Sequence, residues 1–156
     1  MLTYYKHQFI PYDRVLELYF TGCHNGCKNC QNYFLQDKYC EGYREIDAVE
    51  IMLEIKDYKN IAKQVHILGG EPLEQDHVAL IELCYMLKES GFKNIILFTG
   101  KNIDENTISK KNELFKYVDF VKYGAYDERF PNIEKIADIK TGLILATTNQ
   151  KIIEVK

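Results

Sequence analysis

Short apolar runs alternate with longer amphipathic stretches along this chain, a pattern that predicts strands separated by helices. Val15 to Phe20 is a compact run of branched and aromatic residues that reads as a buried strand, closed by the Thr21-Gly22 break. Asp47 and Glu50 make a capping-box pattern ahead of Val49, Met52, Leu53 and Ile55, so a helix is expected there. Gln64 to Leu68 reads as a second strand, stopped by Gly69-Gly70. From about Asp76, the positions Leu80, Leu83, Cys84 and Leu87 recur at helical spacing up to Gly91, which suits a C-terminal cap. Asn94 to Phe98 predicts a third strand, Asp104 to about Tyr117 a helix, Val118 to Tyr123 a fourth strand, and Leu143 to Thr147 a late strand.

The repeated strand-helix order predicts an α/β fold with a mainly parallel sheet and right-handed crossovers. A complete eight-stranded barrel takes about 250 residues, and this chain has 156. An open, partial (β/α) barrel is therefore expected, as one domain over residues 1–156. Hydrophobic residues make up 46% of the chain, enough to bury one core, and no repeat or Pro/Gly/Ser linker divides it. Ligands of such sheets collect at the carboxyl edge of the strands. The loops after the first and second strands, both rich in glycine, lie on that edge.

Charge narrows the choice of partners. A formal net charge of -3 predicts no broad attraction to nucleic acid. The stretch Lys101 to Lys116 mixes both signs, as a solvated helix face does. Met1 to Gln8 lacks the apolar run of a signal peptide, and no segment approaches the roughly 18 apolar residues of a membrane span. A soluble cytoplasmic protein is expected. In that compartment disulfides are disfavoured, and the 5 cysteines cannot all pair, so metal or redox chemistry is the better explanation of a tight cluster.

Such a cluster is present. Cys23, Cys27 and Cys30 form C-x3-C-x2-C in the loop after the first strand. Thiolates are the soft ligands that hold cubic iron-sulfur clusters, and a set of three leaves one iron open to a chelating substrate. The alternative is a zinc site completed by His24, Cys40 or Cys84, although structural zinc usually draws its ligands in two pairs. Cys84 falls on an apolar helical face and Cys40 in a polar stretch, and neither is assigned as a ligand. His66, within a strand, is expected to satisfy a local hydrogen bond. Tyr33 and Phe34 are expected to give hydrophobic cover to the cluster, or else to be ordinary core residues.

The cysteine motif, followed by Gly69-Gly70-Glu71-Pro72 after the second strand, resembles the signature of radical S-adenosylmethionine (SAM) enzymes. The resemblance implies a 4Fe-4S cluster on Cys23, Cys27 and Cys30, with SAM chelating the open iron and Gly69, Gly70 and Glu71 positioning it. Glycine suits that task because backbone can approach a ligand closely. Thr99, at the end of the third strand, is a candidate contact for adenosine or ribose, and equally a hydroxyl that satisfies a strand end.

Within that superfamily, size and word order are similar to the activating component of anaerobic ribonucleotide reductase. The strings are Phe20-Thr21-Gly22-Cys23, Gly70-Glu71-Pro72-Leu73-Glu74-Gln75, Phe98-Thr99-Gly100, Val118-Asp119 and Asn149-Gln150-Lys151-Ile152-Ile153. This similarity implies a glycyl-radical enzyme as partner and a one-electron donor such as flavodoxin or ferredoxin. Two other functions stay open: a small-molecule radical SAM enzyme like 7-carboxy-7-deazaguanine synthase, and a non-catalytic zinc or iron-sulfur interaction module. The roles of Asn149 and Gln150 are not fixed by the sequence.

Overall fold

The computed structural model describes residues 1–156. Its strands are β1 (Leu2–Ile10), β2 (Val15–Phe20), β3 (Arg44–Ile46), β4 (Gln64–Gly69), β5 (Ile95–Phe98), β6 (Phe120–Tyr123) and β7 (Lys151–Glu154), with helices α1 (Ala48–Ile55) and α2 (His77–Glu89). They form one seven-stranded sheet in the order β3-β1-β2-β4-β5-β6-β7. The centre, β2-β4-β5-β6, is parallel, and the flanking pairs are antiparallel. A mainly parallel sheet was expected, and the parallel centre is present; the sheet is mixed at its flanks because the chain's first strand and its last fold back onto the two sides of that centre. No pairing joins β3 to β7, so the sheet is open. No helix is long and apolar enough to cross a membrane.

Both helices pack on one face. Leu16, Leu18, Phe20, Val65, Ile67, Leu97 and Val121 point toward Ile51, Ile55, Leu80, Leu83 and Leu87 in a continuous core. Each such side chain, fully buried, contributes about 1.5–3 kcal/mol. The alternate positions of the same strands, Glu17, Tyr19, His66, Phe98 and Lys122, therefore lie on the face that no helix covers. Helices on one side only is an arrangement compatible with a segment of an open barrel.

Local chemistry sets the helix ends. The Asp47 side chain accepts from the Glu50 amide while the Glu50 side chain accepts from the Asp47 amide. Asp76 accepts from the Ala79 amide at 2.9 Å to start α2. Beyond the end of α2, Gly91 (φ +91°) takes the left-handed conformation that turns the chain into Phe92.

Two expected elements are absent. Residues 104–117 hold only a short 3-10 turn at Glu105–Thr107. Asp104 accepts from the Asn106 amide, its carbonyl accepts from the Thr107 hydroxyl, and Asn112 accepts from the Leu114 amide. Such local bonds compete with a helical ladder. Leu143 to Thr147 makes only isolated bridges, Ile144 to Ala137 and Thr147 to Pro131, because Lys151–Glu154 occupies the edge of β6. The N-terminal hairpin partner β1, nine residues long, was not anticipated.

Asp47→Ala removes one half of an exposed capping box. It is expected to lower the unfolding free energy by about 1 kcal/mol, read as a shifted urea midpoint with unchanged slope.

Candidate functional site

The carboxyl edge of the parallel strands gathers three loops: the cysteine loop after β2, Gly70 to Gln75 after β4, and Thr99 to Lys101 after β5. Their contact is so close that only glycine fits. A Cβ on Gly69 (φ +121°) would lie 2.5 Å from the amide nitrogen and the carbonyl oxygen of Phe20, and one on Gly70 would lie 2.4 Å from the Gly22 carbonyl oxygen. Backbone bonds use that proximity. Gly70 donates to Phe20 at 2.8 Å and Glu71 to Gly22 at 2.7 Å, while Gly22 donates to Leu35 at 2.7 Å.

Glu71 is completely buried. Its Oε2 accepts from Asn25 Nδ2 at 2.8 Å and from the Gly100 amide at 2.9 Å, and its Oε1 accepts from the Leu73 amide at 3.1 Å. One carboxylate thus joins the cysteine loop, its own turn and the loop after β5. Two neighbours repeat the pattern. Glu74 engages His24 Nδ1 at 2.6 Å and accepts from Lys101 Nζ at 3.0 Å. Gln75 accepts from the Thr3 amide and donates to the Thr21 carbonyl, both at 2.8 Å. From the other side Glu128 accepts from Asn29 Nδ2 at 2.5 Å and pairs with Lys28 at 3.0 Å.

Cys23, Cys27 and Cys30 line one cleft together with Gly69, Gly70 and Thr99. Glu71 is not among the lining residues: its carboxylate is spent inside the protein on Asn25, Leu73 and Gly100. Thr99 Oγ1 accepts from the Lys101 amide at 3.0 Å, so this hydroxyl satisfies the strand end while bordering the cleft. Gln150 also borders it, with its amide bonded to Gly124 and Thr147; Asn149 donates to the Ala125 carbonyl.

All five cysteines are free thiols, and the three in the loop are half-buried. Burial raises the pKa of Cys23, and the charges of Glu71, Glu74 and Cys27 add to the rise against one backbone hydrogen bond. Binding iron there would displace the thiol proton. The donor set fits a cluster better than zinc. The cleft lining holds three thiols and no fourth Cys or His, a set that leaves zinc one ligand short and leaves one iron of a cube open. The fourth zinc ligands considered are also placed elsewhere: Cys84 is in the core, Cys40 does not line the cleft, and His24 is held by Glu74.

Tyr33 and Phe34 do not cover the cysteines. Tyr33 is 73% exposed, and Phe34 packs edge-on against Tyr5, outside the cleft. The far wall instead carries Phe98, Tyr126 and Lys122. The Lys122 ammonium stands 5.2 Å from the centre of the Phe98 ring and makes no ion pair with a protein carboxylate; burial lowers its pKa to about 8. The sequence signal was present: Lys122 is a charged residue inside the apolar run Phe120 to Tyr123. His66, on the same face, bonds Gln64 at 3.0 Å as expected, and burial foremost, with Lys122 adding, lowers its pKa to about 4.

The family described as a 4Fe-4S single cluster domain matches residues 14–144. A 59-residue segment is 37% identical to 7-carboxy-7-deazaguanine synthase of Methanopyrus kandleri, covering 38% of this chain and 23% of that enzyme. The chain thus spans less than a quarter of the length of the curated relative it matches.

Glu71→Gln turns one acceptor oxygen into a donor, so at least one of three buried N–H groups loses its partner. The expected cost is about 1–3 kcal/mol, seen in urea unfolding, together with a lower iron content after anaerobic reconstitution. His66 gives a pH dependence. Its folded pKa, about 4, lies below the usual 6.5 or so, so the unfolded chain binds more protons between those values. Stability should fall as pH drops from about 6.5 toward 4, and His66→Gln should flatten that slope in pH-dependent urea titrations.

Proposed function

The chain belongs to the 4Fe-4S single cluster domain family, and from that premise we propose that it is a radical SAM activating enzyme that places a glycyl radical on a partner enzyme, anaerobic ribonucleotide reductase being the partner its strings resemble. The carrying observation is the joint lining of one cleft by Cys23, Cys27, Cys30, Gly69 and Gly70. Cys23, Cys27 and Cys30 would hold the cluster, which when bound supplies the electron that cleaves SAM into methionine and a 5'-deoxyadenosyl radical.

The chain's own residues set the geometry of that step. Gly69 and Gly70 border the cleft with backbone, and their missing side chains let the end of β4 close on Phe20 and Gly22, which brings the cysteine loop beside that backbone. Glu71, Glu74 and Glu128 hold the cysteine loop over that edge from three sides. Lys122 offers an unpaired cation on the opposite wall. A protein substrate is supported by the irregular segment that follows β6, which borders the cleft with Tyr126 and Ala146. It exposes Phe130, Ile133, Ile136, Ile139 and Ile144, apolar surface suited to a partner. The electron would come from a flavodoxin or ferredoxin.

A second reading, a radical SAM enzyme acting on a small molecule, is favoured by the similarity to 7-carboxy-7-deazaguanine synthase. The two part company in one experiment. Reconstituted anaerobically with iron and sulfide, reduced and given SAM, the protein should release 5'-deoxyadenosine. With the catalytic subunit of an anaerobic ribonucleotide reductase present, it should also give a glycine-centred doublet by electron paramagnetic resonance. Cys27→Ser should lose both iron and SAM cleavage. Vigorous cleavage without a glycyl signal would transfer the assignment to the small-molecule reading, and iron loading without any cleavage would remove both.

A further inference from the structure

The helix-free face of the sheet holds a second cavity that the proposed chemistry leaves unused. It measures about 430 Å3 and is walled by Ile10, Glu17, Gln64, His66, Phe98 and Leu143. That volume falls among small-ligand pockets.

Gln64 fixes the chemistry of this cavity. Its Nε2 donates to the Thr141 carbonyl at 2.5 Å, so its Oε1 is the atom that accepts from His66 Nε2 at 3.0 Å. This assigns the imidazole proton to Nε2. Because burial keeps His66 neutral, with a pKa of about 4, Nδ1 is a bare lone pair. Across from it, Glu17 accepts from the Tyr19 hydroxyl at 2.6 Å through Oε2. Glu17 Oε1 stands 4.0 Å from His66 Nδ1, and two acceptors cannot bond each other. Neither atom is sealed off, since the Tyr4 hydroxyl is the sole buried side-chain polar atom without a partner.

We infer that this cavity binds a small organic cation bearing two N–H donors, a primary ammonium or guanidinium-type group, held between Glu17 Oε1 and His66 Nδ1 with Phe98 as its apolar wall. Acceptors 4.0 Å apart leave room for such a group to reach both at ordinary hydrogen-bond distance. The bond to Glu17 is charge-assisted. Lys122 lies near the Phe98 ring, so the ligand's positive end belongs on the Glu17 side of that ring. Phe98 lines the cysteine cleft as well, which makes the two sites neighbours that share a wall. The cation site uses no cysteine and stands apart from the radical reading.

The test uses the full, anaerobically reconstituted chain labelled with 15N-histidine and titrated with methylguanidinium. The His66 Nδ1 resonance is expected to move saturably at millimolar concentrations, and the neutral isostere methylurea should leave it in place. Glu17→Gln should weaken the response at least about tenfold, and Leu143→Trp, which fills the cavity from its covering turn, should abolish it. Cys27→Ser should leave it unchanged, so a failure of the radical chemistry and a failure of this site are distinguishable. An Nδ1 signal that does not move up to about 50 mM, an equal response to methylurea, or full affinity in both cavity variants would each overturn the proposal.

Discussion

The position of the cysteine loop rests on a buried carboxylate whose oxygens accept hydrogen bonds from three separate segments. Glu71 takes one from Asn25, one from Gly100 and one from Leu73. Such a group is tolerable in the interior only because each bond is charge-assisted and the donors are already in place. The glycine pair before it makes that possible. Gly69 and Gly70 let β4 end against the backbone of Phe20 and Gly22, so the loops arrive within reach of one side chain. Close packing comes first here, and polar satisfaction follows from it.

Much of this was legible from residue order. The capping box at Asp47, the apolar face of α2 and the runs that became β2, β4, β5 and β6 all carried local signals strong enough to survive in the fold. The triplet of thiols and the glycine pair could be placed on one edge because parallel strands put their following loops on the same side. Residues 104–117 misled because Ile108 and Phe115 stand seven positions apart, as on one helix face, whereas the Asp104 and Asn112 side chains bond nearby backbone amides instead. The last strand was misplaced for a different reason. Leu143 to Thr147 is more apolar than Lys151 to Glu154, yet edge pairing depends on where the chain can reach, which residue order does not state.

Within the site, the sequence pointed to Glu71 without revealing which way it faces. Nothing in the string Gly70 to Gln75 says that its carboxylate turns inward to serve neighbouring loops, as the side chains of Glu74 and Gln75 also do. Lys122 and His66 are the opposite case. Charged or titratable residues within apolar strands are conspicuous in a sequence, and both prove to lie on the face that the helices leave bare. The sheet thus divides between a greasy side that supplies stability and a more polar side that lines the two cavities.

The fastenings of the cysteine loop all run through asparagine, histidine, lysine and backbone groups, and none passes through a sulfur atom. The sulfur atoms are consequently free of structural duty: exchanging the side chain at Cys23, Cys27 or Cys30 severs none of the bonds that shape the loop.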